Sequence, residues 1–106
     1  MAKTKAQVKN CVGKLKVLAD ETRLRVIHEI IANPKSVNEI NQVLKIEQSL
    51  LSHHLKILRE AGLIISERKG QSVVYRTAPS VTFEKNQQTI DLGCCKLNFN
   101  EKSNVL

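Results

Sequence analysis

The stretch EQSLLSHHLKILREAGL, residues 47–63, carries two distinct stripes when its residues are placed at helical spacing. The apolar stripe, which suits a protein core, consists of Leu51, Leu55, Leu58 and Ala61. The opposite stripe is polar and consists of Ser49, Ser52, His53, Lys56 and Glu60. Gly62 stands where the glycine that ends a helix is commonly found. The pattern therefore predicts an amphipathic helix that stops at this glycine.

The polar stripe differs from that of a helix that only needs to be soluble. Its first turn and a half offers two hydroxyls and an imidazole instead of Glu and Lys, and Gln48 adds an amide. Such short hydrogen-bonding groups are the kind that read base edges or phosphates. We therefore expect a recognition helix for duplex DNA, with a plain amphipathic surface helix as the alternative on these residues alone.

Composition favours a single globular domain with a polyanionic partner. The chain has 106 residues, 42% hydrophobic and 25% charged, which is ordinary for a small folded domain. With 17 Lys and Arg against 10 Asp and Glu, the net charge of +7 favours nucleic acid. Aromatic residues at 3% argue against a stacking platform for single strands. No membrane span or signal peptide is recognisable, so we expect a cytoplasmic protein.

Three helices are predicted before the recognition helix. The first covers residues 6–19, after a frayed basic start, and places Cys11 on its apolar stripe. Asp20 is suited to cap the second, which Asn33-Pro34 ends. A capping box, S-x-x-E from Ser36, opens the third over residues 37–44. A tight turn then leads into the recognition helix, which is the helix-turn-helix arrangement.

After Gly62 the apolar period changes from helical spacing to alternation. Residues 63–68 and 73–77 are rich in strand-forming side chains, and RKGQS between them predicts a basic hairpin tip. Directly after a recognition helix, such a tip is expected to lie along the DNA backbone or in a minor groove. A solvated loop is the less favoured alternative for the same residues.

The remaining residues, 80–106, are harder to interpret. Residues 82–88 are polar and are expected to form a linker. Two alternating runs with a slip at Cys94-Cys95 then predict an extended segment with a β-bulge, whereas a helix there would have to absorb Gly93. Residues 100–106 are expected to be disordered.

Three runs together resemble the ArsR/SmtB family of bacterial winged-helix repressors: LADETRLRVIHEI (18–30), SLLSHHLKILREAGLI (49–64) and RKGQSVVYRTAP (68–79). The resemblance covers roughly residues 8–79. It implies an α+β fold of the winged helix-turn-helix type, mostly helical, with a two-stranded β-hairpin wing. It also implies a cytoplasmic homodimer that binds double-stranded DNA at an inverted-repeat operator and leaves it when an inducer binds. Residues 1–79 would be the DNA-binding domain, and residues 80–106 a cysteine-containing tail at the dimer interface.

The resemblance also assigns DNA contacts. The family's base- and phosphate-facing positions correspond to Gln48, Ser49, Ser52 and His53, and we add Lys56 from the same stripe. Its wing corresponds to Arg68, Lys69 and Gln71. His54 falls on the inner flank beside the leucines, so we expect it to pack rather than to contact DNA or a metal.

Neither of the family's frequent metal sites has its ligands in this chain. The Cys-Val-Cys motif of the third helix corresponds to Ser36-Val37-Asn38, which has no thiol. The other site uses Asp and His pairs on a C-terminal helix, and no histidine follows Pro79. A metal or metalloid would therefore have to bind Cys11, Cys94 and Cys95.

These three cysteines are an odd number, so they do not indicate a disulfide scaffold, and in a reducing compartment they are expected to be thiols. Thiolates without nearby histidine favour a soft centre. Three sulfurs in a pyramid suit arsenite or antimonite better than zinc or cadmium, since structural zinc prefers four ligands. We therefore expect a repressor that needs no cofactor to bind DNA and is released by As(III) or Sb(III).

Two other interpretations of the cysteines stay open. Cys11 with Cys94 or Cys95 could form a disulfide or polysulfide bridge, which would make a redox or persulfide sensor. Alternatively, the cysteines only pack, and the repressor has no metal inducer. Two other classes are less favoured: an enzyme, because no acid is placed to orient a Cys-His pair, and a winged-helix module that binds protein instead of DNA.

Overall fold

The structure is a computed structural model, and it describes residues 5–84 and 88–99, with side chains from residue 8 onward. Within these ranges the chain forms four helices, α1 (Lys5–Leu18), α2 (Glu21–Ile31), α3 (Val37–Leu44) and α4 (Gln48–Glu60). The strands of the same ranges are β1 (Lys35–Ser36), β2 (Ile64–Lys69), β3 (Ser72–Thr77), β4 (Thr82–Glu84), β5 (Thr89–Asp91) and β6 (Lys96–Asn98). The expected disorder of residues 100–106 and most of the expected frayed start lie outside the described residues.

The predicted caps define where the helices begin. Asp20 Oδ1 accepts a hydrogen bond of 3.0 Å from the Arg23 N–H and so caps α2. At the start of α3 the Glu39 N–H donates to Ser36 Oγ at 3.2 Å, and the Ser36 N–H donates to Glu39 Oε1 at 2.9 Å. This is the complete capping box that the spacing predicts.

Helix α4 ends in a Schellman motif built around Gly62. The Gly62 N–H donates to the Arg59 carbonyl at 3.0 Å, and the Leu63 N–H donates to the Leu58 carbonyl at 3.1 Å. Gly62 has φ of +76°, a left-handed conformation that side-chain-bearing residues adopt at a cost. Leu58 and Leu63 are both fully buried, which anchors the end of α4 in the core.

Strands β2 and β3 form the predicted hairpin wing, in antiparallel register from Ile64 opposite Thr77 to Lys69 opposite Ser72. The short strand β1, which no sequence pattern predicts, pairs with the other side of β3. In the described residues, a third strand therefore extends the predicted two-stranded hairpin. Two residues are too few to show an alternating pattern, so β1 left no signal in the sequence.

The tail differs from the expectation in two places. Residues 82–84 were expected to be part of a linker, but they form β4, which pairs with β5. The expected bulge at Cys94-Cys95 is wrong, because these residues belong to a tight turn between β5 and β6. Gly93 makes this turn possible with φ of +87°, and its N–H donates to Asp91 Oδ1 at 2.8 Å. The Leu92 N–H donates across the turn to the Cys95 carbonyl at 2.8 Å.

One hydrophobic core joins the helices, the wing and the tail. Its buried members from α2 to α4 include Val26, Ile27, Ile30, Ile40, Leu44, Leu51, Leu55 and Leu58. Val81, Ile90 and Leu92 of the tail belong to the same cluster, so the tail packs as part of the fold. Among the described helices, none is long and apolar enough to cross a membrane. The arrangement of four helices followed by a hairpin wing is a winged helix-turn-helix.

Candidate DNA interface and thiol centre

The two stripes of α4 face opposite environments, as the spacing predicts. The leucines of the apolar stripe are at most 2% exposed, and they are Leu51, Leu55 and Leu58. The predicted DNA-contact residues of this helix are all exposed, and they are Gln48, Ser49, Ser52, His53 and Lys56. The helix is therefore anchored by its leucines and presents its hydrogen-bonding groups to solvent.

The turn between α3 and α4 is held by the Asn41 side chain, which no motif in the sequence marks. Asn41 Nδ2 donates to the Ile46 carbonyl at 2.9 Å, and the Ile46 N–H donates to Asn41 Oδ1 at 2.9 Å. Lys45, between them, has φ of +54° and donates its N–H to the Asn41 carbonyl at 2.9 Å. An asparagine near the end of a helix carries no distinctive sequence signal, which is why its role was missed.

Glu47 also contributes to the exposed face and was not predicted. It occupies the N-cap position of α4 with φ of −59° and ψ of 136°, but its side chain makes no capping bond to the helix. Instead its carboxylate accepts a hydrogen bond from the Ser49 hydroxyl. One of the predicted DNA-contact hydroxyls is therefore oriented by a neighbouring acid, with its lone pairs left to accept.

The two histidines of α4 occupy different environments, although their ring centroids are only 5.9 Å apart. His53 is exposed, whereas His54 is half-buried, and no described residue makes a hydrogen bond to its enclosed Nδ1. The Arg23 N–H lowers the pKa of the Asp20 carboxyl by donating to it, and the charge of the Arg23 guanidinium lowers this pKa further. The half-buried position of His54 agrees with the expected packing role.

The wing tip is exposed and cationic. Arg68, Lys69 and Gln71 are all exposed, and Gly70 turns the hairpin with φ of +63°. The tip follows α4 closely in sequence, because β2 begins two residues after Gly62. It therefore presents two positive charges that are not buried in the fold.

All three cysteines meet where α1 contacts the tail. The structure joins Cys11 and Cys94 in a disulfide, with Cα atoms 5.7 Å apart, and leaves Cys95 as a thiol. The three sulfur atoms lie within 4.8 Å of one another. Among the described residues, these cysteines are the group of Cys, His, Asp or Glu side chains that is close enough to hold one metal ion. The predicted three-cysteine cluster is therefore present within one chain.

Helix α1 exposes a row of apolar side chains next to this cluster. Val8, Val12 and Leu15 are 49%, 42% and 37% exposed, and they stand at i, i+4 and i+7 on the helix. Leu15 also lines a groove of about 380 Å³ together with Leu24, Leu97 and Phe99. Phe99 packs edge-on against His28 at a centroid distance of 4.7 Å.

The known proteins that this chain resembles are bacterial transcriptional regulators. Residues 20–66 match the family model described as bacterial regulatory protein, arsR family. The chain is 43% identical over 58 residues to the arsenical resistance operon repressor of Bacillus subtilis, a match that covers 54% of the chain and 55% of that protein. It is 30% identical over 91 residues to the cadmium resistance transcriptional regulatory protein CadC of Listeria innocua, which covers 85% of the chain and 71% of CadC.

Among solved structures, HlyU from Vibrio cholerae superimposes with a TM-score of 0.69 at 32% identity, covering 73% of this chain and 84% of HlyU. The chain spans about half the length of several other curated relatives that it matches. The family consists of transcriptional regulators and not of enzymes. Because CadC matches over most of both chains and the family model covers the helix-turn-helix, this chain belongs to the ArsR family of bacterial transcriptional regulators.

Proposed function

We propose that this protein is a DNA-binding transcriptional repressor whose recognition helix is α4. The main support for DNA binding is that α4 has a buried stripe of leucines and an exposed stripe of polar side chains. In this position Gln48, Ser52 and His53 reach base edges in the major groove, and Lys56 reaches a phosphate. Ser49, oriented by Glu47, accepts a hydrogen bond from a base amino group.

The wing supplies the part of the affinity that does not depend on sequence. Arg68 and Lys69 contact phosphates, and Gln71 adds a hydrogen bond beside them. Each phosphate that a lysine or arginine neutralises releases a counterion, which makes the affinity depend steeply on salt. The net charge of +7 supports the same partner.

We place a second copy of the chain against α1. Its row of Val8, Val12 and Leu15 is exposed, and the groove beside Leu15 extends this apolar surface towards β6. A patch of this kind on a small domain favours association. Residues 1–79 then act as the DNA-binding domain and residues 80–106 as the tail beside the dimer interface. Two-fold symmetry presents two α4 helices to an inverted repeat.

The inducer is proposed to be a thiophilic ion, with As(III) or Sb(III) as the best match. The main support for such an inducer is that the sulfurs of Cys11, Cys94 and Cys95 lie within 4.8 Å of one another. Arsenite, As(OH)₃, would exchange its three hydroxyls for the sulfurs of three thiols. The thiol protons would leave with the hydroxyls as three waters. A relative is named for arsenical resistance and another for cadmium resistance, which supports the class of inducer.

Release of DNA follows if the ion prefers one dimer geometry over another. The cysteine cluster ties α1 to the tail, and α1 carries the proposed dimer surface. An ion that rearranges this contact changes the spacing of the two α4 helices, so they no longer match successive major grooves. By linkage, DNA must weaken the ion's binding by the same factor.

Oxidation is a second candidate signal, and the Cys11–Cys94 disulfide favours it. A peroxide would oxidise the two thiols to this bridge, with transfer of two electrons and formation of two waters. The same two sulfurs cannot serve both signals at once, since the bridge leaves Cys95 as the one remaining free thiol. A persulfide, RSSH, would oxidise the same two thiols to the bridge and would itself be reduced to a thiol and hydrogen sulfide.

The experiment uses reduced protein and an operator duplex selected from a random library. Fluorescence anisotropy of the complex is followed while arsenite, antimonite, cadmium, peroxide and a polysulfide are titrated separately. Release by arsenite or antimonite that is lost in both Cys94→Ser and Cys95→Ser supports the three-sulfur site. Release by peroxide that survives in Cys95→Ser but not in Cys94→Ser supports the bridge instead. If none of these agents releases DNA, the sensing half is wrong.

A further inference from the structure

We infer that Asn41 is a positioning residue for DNA recognition, which sets the angle at which α4 leaves the turn and so determines operator specificity. Asn41 lies in α3 and is not among the exposed DNA-facing residues. It acts on α4 through the main chain of Ile46, two residues before Gln48. The inference rests on the proposed DNA-binding function of α4.

The Asn41 side chain makes two hydrogen bonds to the main chain of a single turn residue. Its amide both donates to the Ile46 carbonyl and accepts from the Ile46 N–H, each at 2.9 Å. In a β-sheet, a neighbouring strand would satisfy the N–H and the carbonyl of such a residue. Here the Asn41 amide satisfies both groups of Ile46. Both the N–H and the carbonyl of one turn residue are thereby fixed in direction.

The turn needs this support because its backbone is not in a relaxed conformation. Lys45 has φ of +54°, in the left-handed region that residues other than glycine adopt at a cost. Glu47 does not cap α4 with its side chain, so the start of that helix lacks the anchor that α2 and α3 have. Asn41 thus supplies at the start of α4 the restraint that Asp20 and Ser36 supply at the other helices.

Specific and non-specific binding depend on this restraint to different degrees. Base readout requires donors and acceptors within hydrogen-bonding distance of particular base edges, and a small change in helix angle removes them. Phosphate contacts from flexible lysines and arginines tolerate such a change and carry no sequence information. Loosening the turn should therefore lower the ratio of operator affinity to scrambled-DNA affinity.

The test compares Asn41→Ala with Gln42→Ala, an exposed neighbour in the same helix, in the full reduced chain. Affinities are measured for the selected operator duplex and for a scrambled duplex of the same length. We expect Asn41→Ala to lower the affinity ratio at least tenfold, while Gln42→Ala changes it less than twofold. An unchanged ratio in Asn41→Ala, or an equal loss in Gln42→Ala, overturns the inference.

A readout at the turn separates positioning from loss of overall stability. Amide hydrogen exchange of Ile46 should accelerate in Asn41→Ala, while the buried amides of α2 keep their protection. Uniform acceleration, or an unchanged rate at Ile46, contradicts a local role. If Asn41→Ala does not fold, Asn41→Asp, which keeps the acceptor for Ile46, carries the same comparison. If the unmodified protein shows no preference for the operator, the proposed function fails, and hydrogen exchange at Ile46 alone then decides whether Asn41 holds the turn.

Discussion

Cys11 and Cys94 are joined across the contact between α1 and the tail, although 83 positions separate them in sequence. This pairing brings the first helix and the last hairpin into one unit. Oxidised protein should lose two hydrogens in mass and yield a linked peptide pair containing these residues. The bridge should raise the free energy of unfolding by about 2–4 kcal/mol, because it closes a long loop in the unfolded chain. Urea titrations with and without reductant measure the difference.

The Cys95→Ser variant is the matched control for this bridge. It should still form the linked pair, whereas Cys11→Ser should not. Oxidised protein should also fail to bind arsenite until it is reduced, because two of the three sulfurs are joined in the disulfide. A linked pair containing Cys95 as the main product would contradict the structure.

Gly62→Ala should destabilise the protein by about 1–2 kcal/mol, the cost of placing a residue with a Cβ in the left-handed region. The cost is conformational, because no atom lies within 4 Å of the position that the new Cβ would take. Gly13→Ala is the control, since it has the same open surroundings but lies inside α1. It should stabilise the helix by up to about 1 kcal/mol. Thermal unfolding at equal protein concentration measures both, and equal effects would contradict the assigned motif.

Asp20→Ala should lower the free energy of unfolding by about 1 kcal/mol at neutral pH, because α2 loses its cap. The pKa of Asp20 is lowered in the folded protein, first by the Arg23 N–H that donates to it. Its contribution is therefore fully present above its ordinary pKa of about 3.9 and is lost as the pH falls through the lower folded value. The difference between the two proteins should shrink in acid. Asp20→Asn keeps a cap but has no charge to titrate. The difference in unfolding free energy between Asp20→Asn and Asp20→Ala should therefore stay constant as the pH falls.

Replacing Arg68 and Lys69 together by serine should weaken binding to operator and scrambled duplexes alike. The slope of log affinity against log salt should become shallower by roughly 2, since each lost phosphate contact removes about 0.9. Lys96→Ser, an exposed lysine of the tail paired with Glu84, should leave the slope unchanged. A loss confined to the operator would mean that the wing reads bases and not the backbone.

The parts of the fold that were predictable are those decided by neighbours in sequence. The leucines of α4, the capping box at Ser36 and the stop at Gly62 each depend on residues within one or two helical turns, and the structure has all three. The hairpin wing was predictable for the same reason.

The features that the sequence does not predict depend on contacts between residues far apart in the chain. A repeating pattern of neighbouring side chains does not report such contacts. Strand β1 exists because Lys35 pairs with Tyr75 and Ser36 pairs with Val74, residues of β3 that lie far along the chain. The turn at Gly93 replaces the expected bulge because β5 and β6 pair with each other, and the alternation of side chains is the same for one bent strand or two. The Cys11–Cys94 pairing was one of several open possibilities, since spacing along the chain does not report distance in space.

The most direct test of the central claim is the affinity of the double variant Ser52→Ala and His53→Ala for the operator duplex selected by the unmodified protein. Each lost base contact should cost about 1–3 kcal/mol, so operator affinity should fall at least tenfold, towards that for scrambled DNA. Ser66→Ala, an exposed serine outside the proposed contacts, should bind normally. The thermal midpoint should be unchanged in both variants, because these side chains are exposed. Operator affinity equal to that of the unmodified protein would contradict the assignment of α4 as the recognition helix.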